Sequence, residues 1–581
     1  MKLFVFKLCS NKRGKTEEYN PMGLTSFQTS GRKGLDSLYL KVGKVDILTT
    51  VRLNPKLFYL FLKPTQNPPL MNKLYLGILL LFSFQFPLQA QKKDPPEPKA
   101  ELQSEHQRKI PIDTTITTQH SVTINGTPIE YTAITGMQPA WDENGQPIAA
   151  LQYTYYTRNN VKDRAARPLL ISFNGGPGSA SVWMHLAYTG PRALKIDDEG
   201  YPVQPYGVQD NPFSVLDVTD IVYVNPANTG YSRTIPEELD EKDRKKFFGI
   251  NSDIKYLAEW LNTFVTRNNR WRSPKYIIGE SYGGTRVMGL SLALQEQQWM
   301  YLNGVIMVSP ADYKILRNGG PVSDALNLPY FTAAAWYHKA LPAELQNKDL
   351  LKILPESEEY TLNTLIPALA KGWNITDTDK NAVAEKMAYY SGLSKEAILD
   401  QNLVVPPSYF WKNLLKDKGA YTLGRLDSRY LGFDRQVAGM DPDYNPELTS
   451  WLHSFTPAIN YYMQEELNFK TDIKYNMFGP VHPWDNENDT TRDDLRQAMA
   501  QNPYLNVLVQ SGYYDGAVTY FGAKYTMWQV DPSGRMKDRF EFKGYRSGHM
   551  MYLRRDDLEK SNNDIRAFIE RTLAKGESAK Y

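Results

Sequence analysis

The stretch "KYIIGESYGGTR", residues 275–286, carries the pattern that decides the fold. Its first half is a short apolar run, and its second half contains Gly-Glu-Ser-Tyr-Gly, which fits the pattern G-x-S-x-G. In that pattern the glycines let a strand turn sharply into a helix, so that the serine is lifted above the edge of a sheet. A helix-compatible run, "TRVMGLSLALQEQQ", follows. The sequence therefore predicts a strand, a sharp turn and a helix, with Ser281 as a nucleophile at the turn.

Comparable buried strands recur on both sides of this motif. The runs "RPLLISFNGG", "DIVYVNPANTG", "LNGVIMVSPAD", "LNVLVQSGYYDG" and "DRFEFKGYRSGH" each end in a turn, and continuous apolar runs are typical of strands buried on both faces. Helical patterns lie between them, and "NSDIKYLAEWLNTFVTR" places Ile254, Leu257, Leu261 and Phe264 on one face. The alternation predicts an α/β fold of the α/β-hydrolase type, with a mostly parallel central sheet and helices on both faces.

The strands assign the core to residues 111–320 and 496–575. Between these two parts, residues 321–495 show helical patterns such as "NAVAEKMAYYSGLSKEAILDQ" and no convincing buried strand. We interpret this segment as a mainly helical cap insertion that covers the site. Within it, "LGRLDSR" (423–429) is conspicuous, and its charges indicate a structural Arg–Asp network.

The N-terminal part predicts export. Residues 71–90 have a short basic start with Lys73, continue as a short apolar run and end at small Ala90, which is the layout of a secretory signal peptide with cleavage after Ala90. The apolar run is shorter than the roughly 20 residues needed to span a bilayer, so no stable membrane anchor is expected. We interpret residues 1–70 as a mis-called start or a disordered extension, and the charged, proline-rich residues 91–110 as a linker.

Composition excludes several classes of partner. The chain has 581 residues and a formal charge of +3, a balance that indicates no nucleic-acid partner. The only cysteine is Cys9, so an exported chain that begins after Ala90 would hold its fold without a disulfide. No metal-binding motif or cofactor motif is predicted, and the sequence does not indicate an oligomeric state.

A nucleophilic serine needs a base and an acid, and the chain order of α/β-hydrolases is serine, acid, histidine. Of the seven histidines, only His549 lies far downstream, on a loop after the strand-like "RFEFKGY". Asp515 follows the strand "NVLVQSG" in the turn "YYDGA", and it is the expected acid. Asp531 is the second candidate, although "VDPSG" is typical of an ordinary turn.

The developing oxyanion needs N–H donors that are already oriented toward it. "FNGGPGSAS", residues 173–181, ends another predicted strand, and its glycines allow close approach of the backbone to a substrate. We expect one donor to be the N–H of Gly176 and the other to be the N–H of Tyr282, directly after the nucleophile. No G-K-[ST] follows the glycines, which disfavours a phosphate-binding loop.

Taken together, "NGGPGSAS", "GESYGG", "YYDGA" and "SGHM", in this order, resemble the serine carboxypeptidase family over roughly residues 130–575. The resemblance implies an α/β-hydrolase fold, a Ser281–Asp515–His549 triad and an oxyanion hole at Gly176 and Tyr282. It also implies that a peptide substrate's C-terminal carboxylate is held by Asn174, by the Gly175 N–H and by Glu280. Two carboxyl groups share a hydrogen bond only when one is protonated, and burial favours the neutral acid.

The sequence departs from the family pattern at one place in the carboxylate site. The family has a second glutamate shortly before a Gly-Pro, and here that place in "HLAYTGP" is Tyr188. The resemblance therefore implies that Tyr188 takes the place of the second acid, with its hydroxyl able to donate to a carboxylate or to Glu280. The like charge of a paired glutamate is absent, so we expect a pH optimum less acidic than that of members with two glutamates.

Three functions are compatible with these residues. The first is an exported, periplasmic or extracellular serine carboxypeptidase (a serine hydrolase of the EC 3.4.16 type) that acts through an acyl-enzyme. The second is an esterase, another peptidase or an acyltransferase with the same triad but without the requirement for a C-terminal carboxylate, and Tyr188 is its support in the sequence. The third is a binding protein that has lost catalysis, which predicts a missing triad member; none is missing.

Overall fold

A computed structural model describes residues 38–42, 45–49, 110–312, 319–573, 576 and 578. The chain divides into two compact units, residues 1–105 and 106–581. In the first unit, strands β1 (Leu38–Val42) and β2 (Val45–Thr49) pair antiparallel. The rest of the predicted extension, the predicted signal peptide and residues 91–109 of the predicted linker lie outside the described residues.

The second unit is built on a ten-stranded sheet. Its strands are β3 (Thr114–Ile124), β4 (Thr127–Trp141), β5 (Pro147–Arg158), β6 (Leu169–Phe173), β9 (Asp220–Val224), β10 (Arg233–Thr234), β11 (Lys275–Glu280), β12 (Gly304–Val308), β15 (Asn506–Gly512) and β16 (Phe540–Tyr545). Four shorter strands form two separate antiparallel pairs: β7 (Arg192–Leu194) with β8 (Val208–Asp210), and β13 (Thr422–Leu423) with β14 (Leu431–Gly432).

The order across the sheet is β16-β15-β12-β11-β6-β9-β5-β4-β3, with β10 paired to β5. The six strands from β16 to β9 run parallel to one another, and β5, β4 and β3 continue the sheet antiparallel. The predicted strands around residues 169, 220, 275, 304, 506 and 540 are thus confirmed. Because the carboxyl ends of parallel strands share one edge of the sheet, the loops after β6, β11, β15 and β16 come together there.

Helices cover both faces of the sheet. Consecutive residues of β11 contribute to different apolar clusters: Ile277 packs in one with the helices Ile250–Arg267 and Tyr282–Gln297, and Ile278 packs in the other with the helix Arg555–Thr572. The bounds of the core helices are α1 (Val182–Ala187), α2 (Glu241–Arg244), α3 (Ile250–Arg267), α4 (Tyr282–Gln297), α14 (Thr491–Gln501), α15 (Tyr520–Val530) and α16 (Arg555–Thr572). The apolar face predicted for α3 is buried, as the pattern of Ile254, Leu257, Leu261 and Phe264 indicated.

Between β12 and α14 the described chain is mainly helical and has an apolar cluster of its own. Its helices are α5 (Pro321–Ala325), α6 (Leu328–Tyr337), α7 (Ala343–Gln346), α8 (Leu350–Tyr360), α9 (Ile366–Ala370), α10 (Asp377–Ser391), α11 (Lys395–Asp400), α12 (Pro407–Asn413) and α13 (Pro446–Tyr461). Single turns of 3₁₀ or π helix occur at Val215–Asp217, Thr361–Leu365, Gly372–Asn374, Tyr462–Glu466, Lys537–Arg539 and Met551–Leu553.

The long antiparallel strands β3, β4 and β5 are not among the predicted strands. Along β3 exposed positions alternate with partly or fully buried ones, because one of its faces is in water. Continuous apolar runs mark strands that are buried on both faces, and the half-buried β3 has no such run. Strand β5 is buried on both faces, but Gln152, Thr154 and Thr157 interrupt its apolar run. These three strands form the end of the sheet that lies opposite β16 in the strand order.

Candidate active site

Ser281 stands at the turn between β11 and α4, with backbone angles of φ 59° and ψ −124°. A positive φ is unfavourable for serine, and such strain is typical of the turn that carries a nucleophile. The Ser281 N–H donates to the carbonyl of Val308 (2.9 Å), and the Ser281 carbonyl accepts from the N–H of Ala311 (3.0 Å). A Cβ on Gly279 would lie 2.0 Å from the carbonyl oxygen of Gly283, so the turn closes this tightly only with glycine.

His549 and Asp515 are hydrogen-bonded to each other, although they come from different loops. Asp515 follows β15 and His549 follows β16, and His549 Nδ1 lies 2.6 Å from Asp515 Oδ2. The other carboxylate oxygen of Asp515 accepts from the N–H groups of Ala517 and Val518 (2.9 and 3.0 Å). Burial lowers the pKa of His549, but the charge and hydrogen bond of Asp515, together with the charge of Glu280, raise the pKa above its ordinary value of 6.5. This pair is built to hold an imidazolium ion.

Ser281 and His549 line the same cavity, which has a volume of about 220 Å³. Its walls combine polar and apolar groups, and they come from the core loops and from the insertion. Residues of the core that line it include Gly175, Gly176, Trp183, Glu280, Val518 and Met550, and residues of the insertion include Arg425, Leu426, Leu448, Trp451 and Phe478. Asp531 lies elsewhere: its oxygens accept from the Ser533 hydroxyl and the Met536 N–H, so it closes a turn.

The loop after β6 packs directly against the turn that holds Ser281. A Cβ on Gly175 would lie 2.4 Å from the Glu280 carbonyl oxygen and 2.6 Å from the Tyr282 nitrogen. Gly176 has φ +106° and precedes a cis Gly176–Pro177 peptide bond. Among the described residues, the Gly176 N–H has no hydrogen-bond acceptor. The two backbone segments expected to form an oxyanion hole are therefore adjacent, and both line or border the cavity.

Glu280 is buried, and both of its carboxyl oxygens already have a donor. Oε1 accepts from the Tyr552 hydroxyl (2.6 Å), and Oε2 accepts from the side-chain amide of Asn174. Burial raises the pKa of Glu280 to about 6; His549 and the two hydrogen bonds lower it, and Asp515 raises it. The amide of Asn174 is fixed from its other end, because Asn174 Oδ1 accepts from the N–H of Met184 (3.2 Å).

The structure does not bring Tyr188 to Glu280, and this corrects one expectation from the sequence. The Tyr188 hydroxyl donates to Gln510 Oε1 (2.7 Å), and its ring stacks on Tyr552 with the ring centres 4.6 Å apart. The phenol that donates to Glu280 belongs to Tyr552. Tyr188 is fully buried and is held by Gln510 on β15, so its hydroxyl points away from the carboxyl group.

A segment of the insertion, residues 425–428, crosses both loops that carry the histidine and the acid, and we call it the strap. The Leu426 carbonyl accepts from the His549 N–H (2.7 Å), and the Arg425 carbonyl accepts from the Gly516 N–H (3.0 Å). The Ser428 N–H donates to the carbonyl of Tyr514 (3.0 Å). The strap thereby fixes the backbone on either side of Asp515 and at His549 itself.

A buried ion pair supports the strap. The Asp427 carboxylate accepts from the Gly548 N–H (3.1 Å) and pairs with Arg429 (2.7 Å), which also pairs with Glu199 (2.9 Å). A Cβ on Gly548 would lie 2.4 Å from the Asp427 Cβ, so the two chains are in direct contact. The predicted Arg–Asp network is confirmed, but its connection to His549 is a role that the sequence did not indicate.

Two residues near the site were missed by the sequence reasoning. Tyr552 lies three positions after His549, and this closeness along the chain was the one available signal. Leu426 acts through its backbone, which no side-chain motif reveals. Among the described residues there is no cluster of three or more His, Cys, Asp or Glu side chains suited to a metal ion. A search of the same residues for a helix long and apolar enough to cross a bilayer found none.

The family model described as serine carboxypeptidase matches residues 146–543. Serine carboxypeptidase-like 25 from Arabidopsis thaliana is 23% identical over 397 residues, which are 64% of this chain and 72% of the relative. Serine carboxypeptidase-like 19 from the same plant is 31% identical over 137 residues, which are 23% of this chain. That match spans only 28% of the relative's own length.

Among solved structures, a prohormone-processing carboxypeptidase from Saccharomyces cerevisiae is similar in fold, with 16% sequence identity and a TM-score of 0.47. The match covers 76% of this chain and 91% of the yeast protein.

Proposed function

The chain belongs to the serine carboxypeptidase family, and from this premise we propose that it is a serine-type carboxypeptidase, a serine hydrolase that releases residues from the C-termini of peptides. The observation that carries the proposal is the His549–Asp515 pair in the same cavity as Ser281 on its strained turn. Neither a metal ion nor a cofactor is needed for this chemistry, because the nucleophile, base and acid are all side chains.

In the proposed reaction, His549 Nε2 takes the proton of the Ser281 hydroxyl as Oγ attacks the scissile carbonyl. Asp515 holds His549 Nδ1 and stabilises the imidazolium that forms. The N–H groups of Gly176 and Tyr282 donate to the oxyanion. The imidazolium then gives its proton to the leaving amine, the C–N bond breaks, and an acyl-enzyme remains on Ser281. Water repeats the sequence and releases the shortened peptide.

The terminal carboxylate of the peptide would lie next to Glu280. In its neutral form the Glu280 carboxyl can donate one hydrogen bond to that carboxylate. The Gly175 N–H is a second donor, and Asn174 holds the other oxygen of the substrate carboxylate. The buried position of Glu280 and its pKa of about 6 support this arrangement, since the acid is largely neutral below that pH. The hydrogen bond between Tyr188 and Gln510 removes Tyr188 from direct contact.

The experiment that tests this function compares a blocked dipeptide that has a free C-terminal carboxylate with the same dipeptide as its C-terminal amide. We expect strong preference for the free acid, and equal rates on both would contradict the proposal. Ser281→Ala should abolish turnover in protein that still unfolds cooperatively. Ser533→Ala, in an exposed turn, serves as the matched control and should retain full activity.

A second candidate is a hydrolase or acyltransferase with the same triad but no requirement for a free carboxylate. It is favoured by one observation, namely that both oxygens of Glu280 are already hydrogen-bonded within the protein. The same pair of substrates separates the two candidates, because only this second one predicts similar rates on the free acid and the amide.

Export is part of the proposal. The support is the layout of residues 71–90, which is that of a signal peptide cleaved after Ala90. We expect protein recovered from outside the cytoplasm to begin at Gln91 on N-terminal sequencing. An intact N-terminus upstream of Met71 in the mature protein would contradict it.

A further inference from the structure

Arg425 is the one lysine or arginine among the described residues that line the cavity in front of Ser281. The other charged or titratable groups there are Glu280 and His549, and both already have partners within the protein. The rest of the wall includes apolar side chains such as Trp183 and Trp451. Arg425 is near enough to Glu447 to lower the pKa of that carboxyl group, but among the described residues the two form no ion pair, so the guanidinium can still attract an anion in the cavity.

The guanidinium of Arg425 is exposed and, among the described residues, forms no ion pair. Arg429, the residue directly after the strap, is the opposite case, because it is buried and pairs with Asp427 and Glu199. Arg429 therefore has a structural role, whereas the side chain of Arg425 is available to a ligand. Arginine presents planar N–H groups that match the two oxygens of a carboxylate.

The backbone of Arg425 fixes where that charge lies. Its carbonyl accepts from the N–H of Gly516, directly after Asp515. The next residue, Leu426, holds the backbone of His549. The charge is close enough to His549 to lower the pKa of the imidazole slightly against the stronger effect of Asp515. Arg425 is thus anchored to the catalytic loops themselves and does not sit on a distant part of the insertion.

A peptide substrate in this cavity needs donors for its carboxylates. Both oxygens of Glu280 accept hydrogen bonds from Tyr552 and Asn174, and Tyr188 is bonded to Gln510. From these observations we propose that Arg425 binds a carboxylate of the substrate peptide. The inference rests on the proposed peptidase function and deepens it, since it names the chemistry that the cavity selects. The carboxylate is either the C-terminal one or that of an Asp or Glu side chain beside the scissile bond.

Three pairs of blocked dipeptides separate these sources. The first pair compares a free C-terminal acid with its amide. The second pair compares Glu with Gln as the C-terminal residue, and the third compares Glu with Gln as the residue before the scissile bond. The ratio of kcat/KM within each pair is measured for the wild type, for Arg425→Gln and for Arg435→Gln. Arg435 is an exposed arginine of the same insertion that does not line the cavity, so its variant is the matched control.

We expect Arg425→Gln to lower the ratio in one pair by about tenfold or more, the effect of losing one charge-assisted hydrogen bond. The affected pair identifies the carboxylate. Arg425→Lys keeps the charge without the paired N–H groups and should give an intermediate ratio. The control Arg435→Gln should leave all three ratios at the wild-type value.

The inference is overturned if Arg425→Gln leaves all three ratios unchanged, or if it lowers every rate by the same factor. Failure of the proposed function is seen separately, in the wild type, as equal rates on the free acid and the amide. In that case the two Glu–Gln pairs still decide whether Arg425 binds an acidic side chain.

Discussion

Glu280 is the single residue whose surroundings bear most directly on the pH dependence of the proposed reaction. Burial raises its pKa to about 6, and it lies beside Ser281 in the chain. Below that pH the neutral acid can donate to a substrate carboxylate, and above it the negative charge repels one. His549, with a pKa above 6.5, must lose its proton to act as the base, so it pulls activity toward higher pH.

The first prediction separates these two opposing effects. The rate on a free-acid dipeptide is divided by the rate on the corresponding ester, so that the contribution of His549 cancels. In the wild type this ratio should fall as pH rises through about 6, by up to about tenfold per pH unit. Glu280→Gln keeps a neutral donor at every pH and should give a constant ratio. A constant ratio in the wild type would show that the charge of Glu280 plays no part in binding the carboxylate.

The second prediction concerns the two stacked tyrosines. Tyr552→Phe removes the hydrogen bond that stabilises the charged form of Glu280, so the pKa of Glu280 should rise and the fall in the ratio should move to higher pH. Tyr188→Phe is the matched control, because its hydroxyl donates to Gln510. Its ratio should follow the wild-type curve. If Tyr188→Phe shifted the curve and Tyr552→Phe did not, the assignment of the donor would be reversed.

The residues of the site divide into those that a sequence pattern can locate and those that it cannot. Ser281, Asp515 and His549 were predicted because each follows a predicted strand and because α/β-hydrolases have a set chain order, and the structure places each of them after a strand. The exchange of Tyr188 for Tyr552 was not predictable, because both are tyrosines and the choice depends on which hydroxyl reaches Glu280. Gln510 decides it by holding Tyr188, and a glutamine inside an apolar strand gives no sign of that role in the sequence.

Among the elements, the strap is the part of the insertion that bonds to the loops carrying Asp515 and His549. It bonds to the backbone beside Asp515 and at His549, and the buried Asp427–Arg429 pair holds it in place. A backbone contact of this kind leaves no motif, which is why the segment 423–429 was conspicuous in its charges without indicating a function. The central parallel strands, by contrast, were predicted correctly because burial on both faces makes them largely apolar, whereas the edge strand β16 is partly exposed and carries charged residues.

The third prediction tests the strap as a positioning element. Asp427→Ala removes the acceptor for the Gly548 N–H and one partner of buried Arg429, so it should lower the free energy of unfolding by about 3 kcal/mol. Because the Gly548–His549 backbone loses support, kcat should also fall by about tenfold while KM changes little. Unfolding in denaturant and steady-state kinetics on a free-acid dipeptide measure the two effects.

The control for this variant is a second ion pair of the insertion. The side chains of Lys412 and Asp434 are buried to the same degree and are 2.6 Å apart, and among the described residues neither is hydrogen-bonded or ion-paired to the loops after β15 and β16. Asp434→Ala should therefore destabilise the protein to a similar extent and leave kcat near the wild-type value. Equal losses of kcat in both variants would mean that the strap contributes stability alone.

At the scale of the whole molecule, the sequence indicated the architecture better than the extent of the sheet. Strand–helix alternation is a property of the core that any buried parallel sheet must show, so the α/β fold was predictable. Strands β3 to β5 add four antiparallel ladders with their neighbours. Strand β3 is half exposed, and in the buried strand β5 the polar residues Gln152, Thr154 and Thr157 interrupt the apolar run, so neither gives a clear strand signal in the sequence. Tertiary pairing, which a single sequence does not contain, settles their structure.

Stability against pH is another property of the whole molecule, and Glu447 makes a distinct contribution to it. It lies in the first turn of α13, where Oε1 accepts from the N–H of Leu426 in the strap (2.8 Å). Its other oxygen is buried and, among the described residues, has no hydrogen-bond partner. Burial raises the pKa of Glu447 to about 7; the backbone N–H groups and Arg425 lower it, and Asp427 raises it.

The fourth prediction follows from the direction of that change. In the unfolded chain Glu447 has an ordinary pKa near 4.5, so the folded protein binds its proton more tightly. The associated stability is fully present below pH 4.5 and is lost as pH rises through about 7, a change of roughly 3 kcal/mol. Glu447→Gln keeps the acceptor for Leu426 and cannot titrate. The difference in free energy of unfolding, wild type minus variant, should therefore decrease by this amount between pH 4.5 and 8.

Denaturant unfolding at several pH values measures this difference, in which the contributions of all other titrating groups cancel. A difference that stays constant with pH would mean that Glu447 is ionised in the folded protein throughout, with its buried charge stabilised by Arg425.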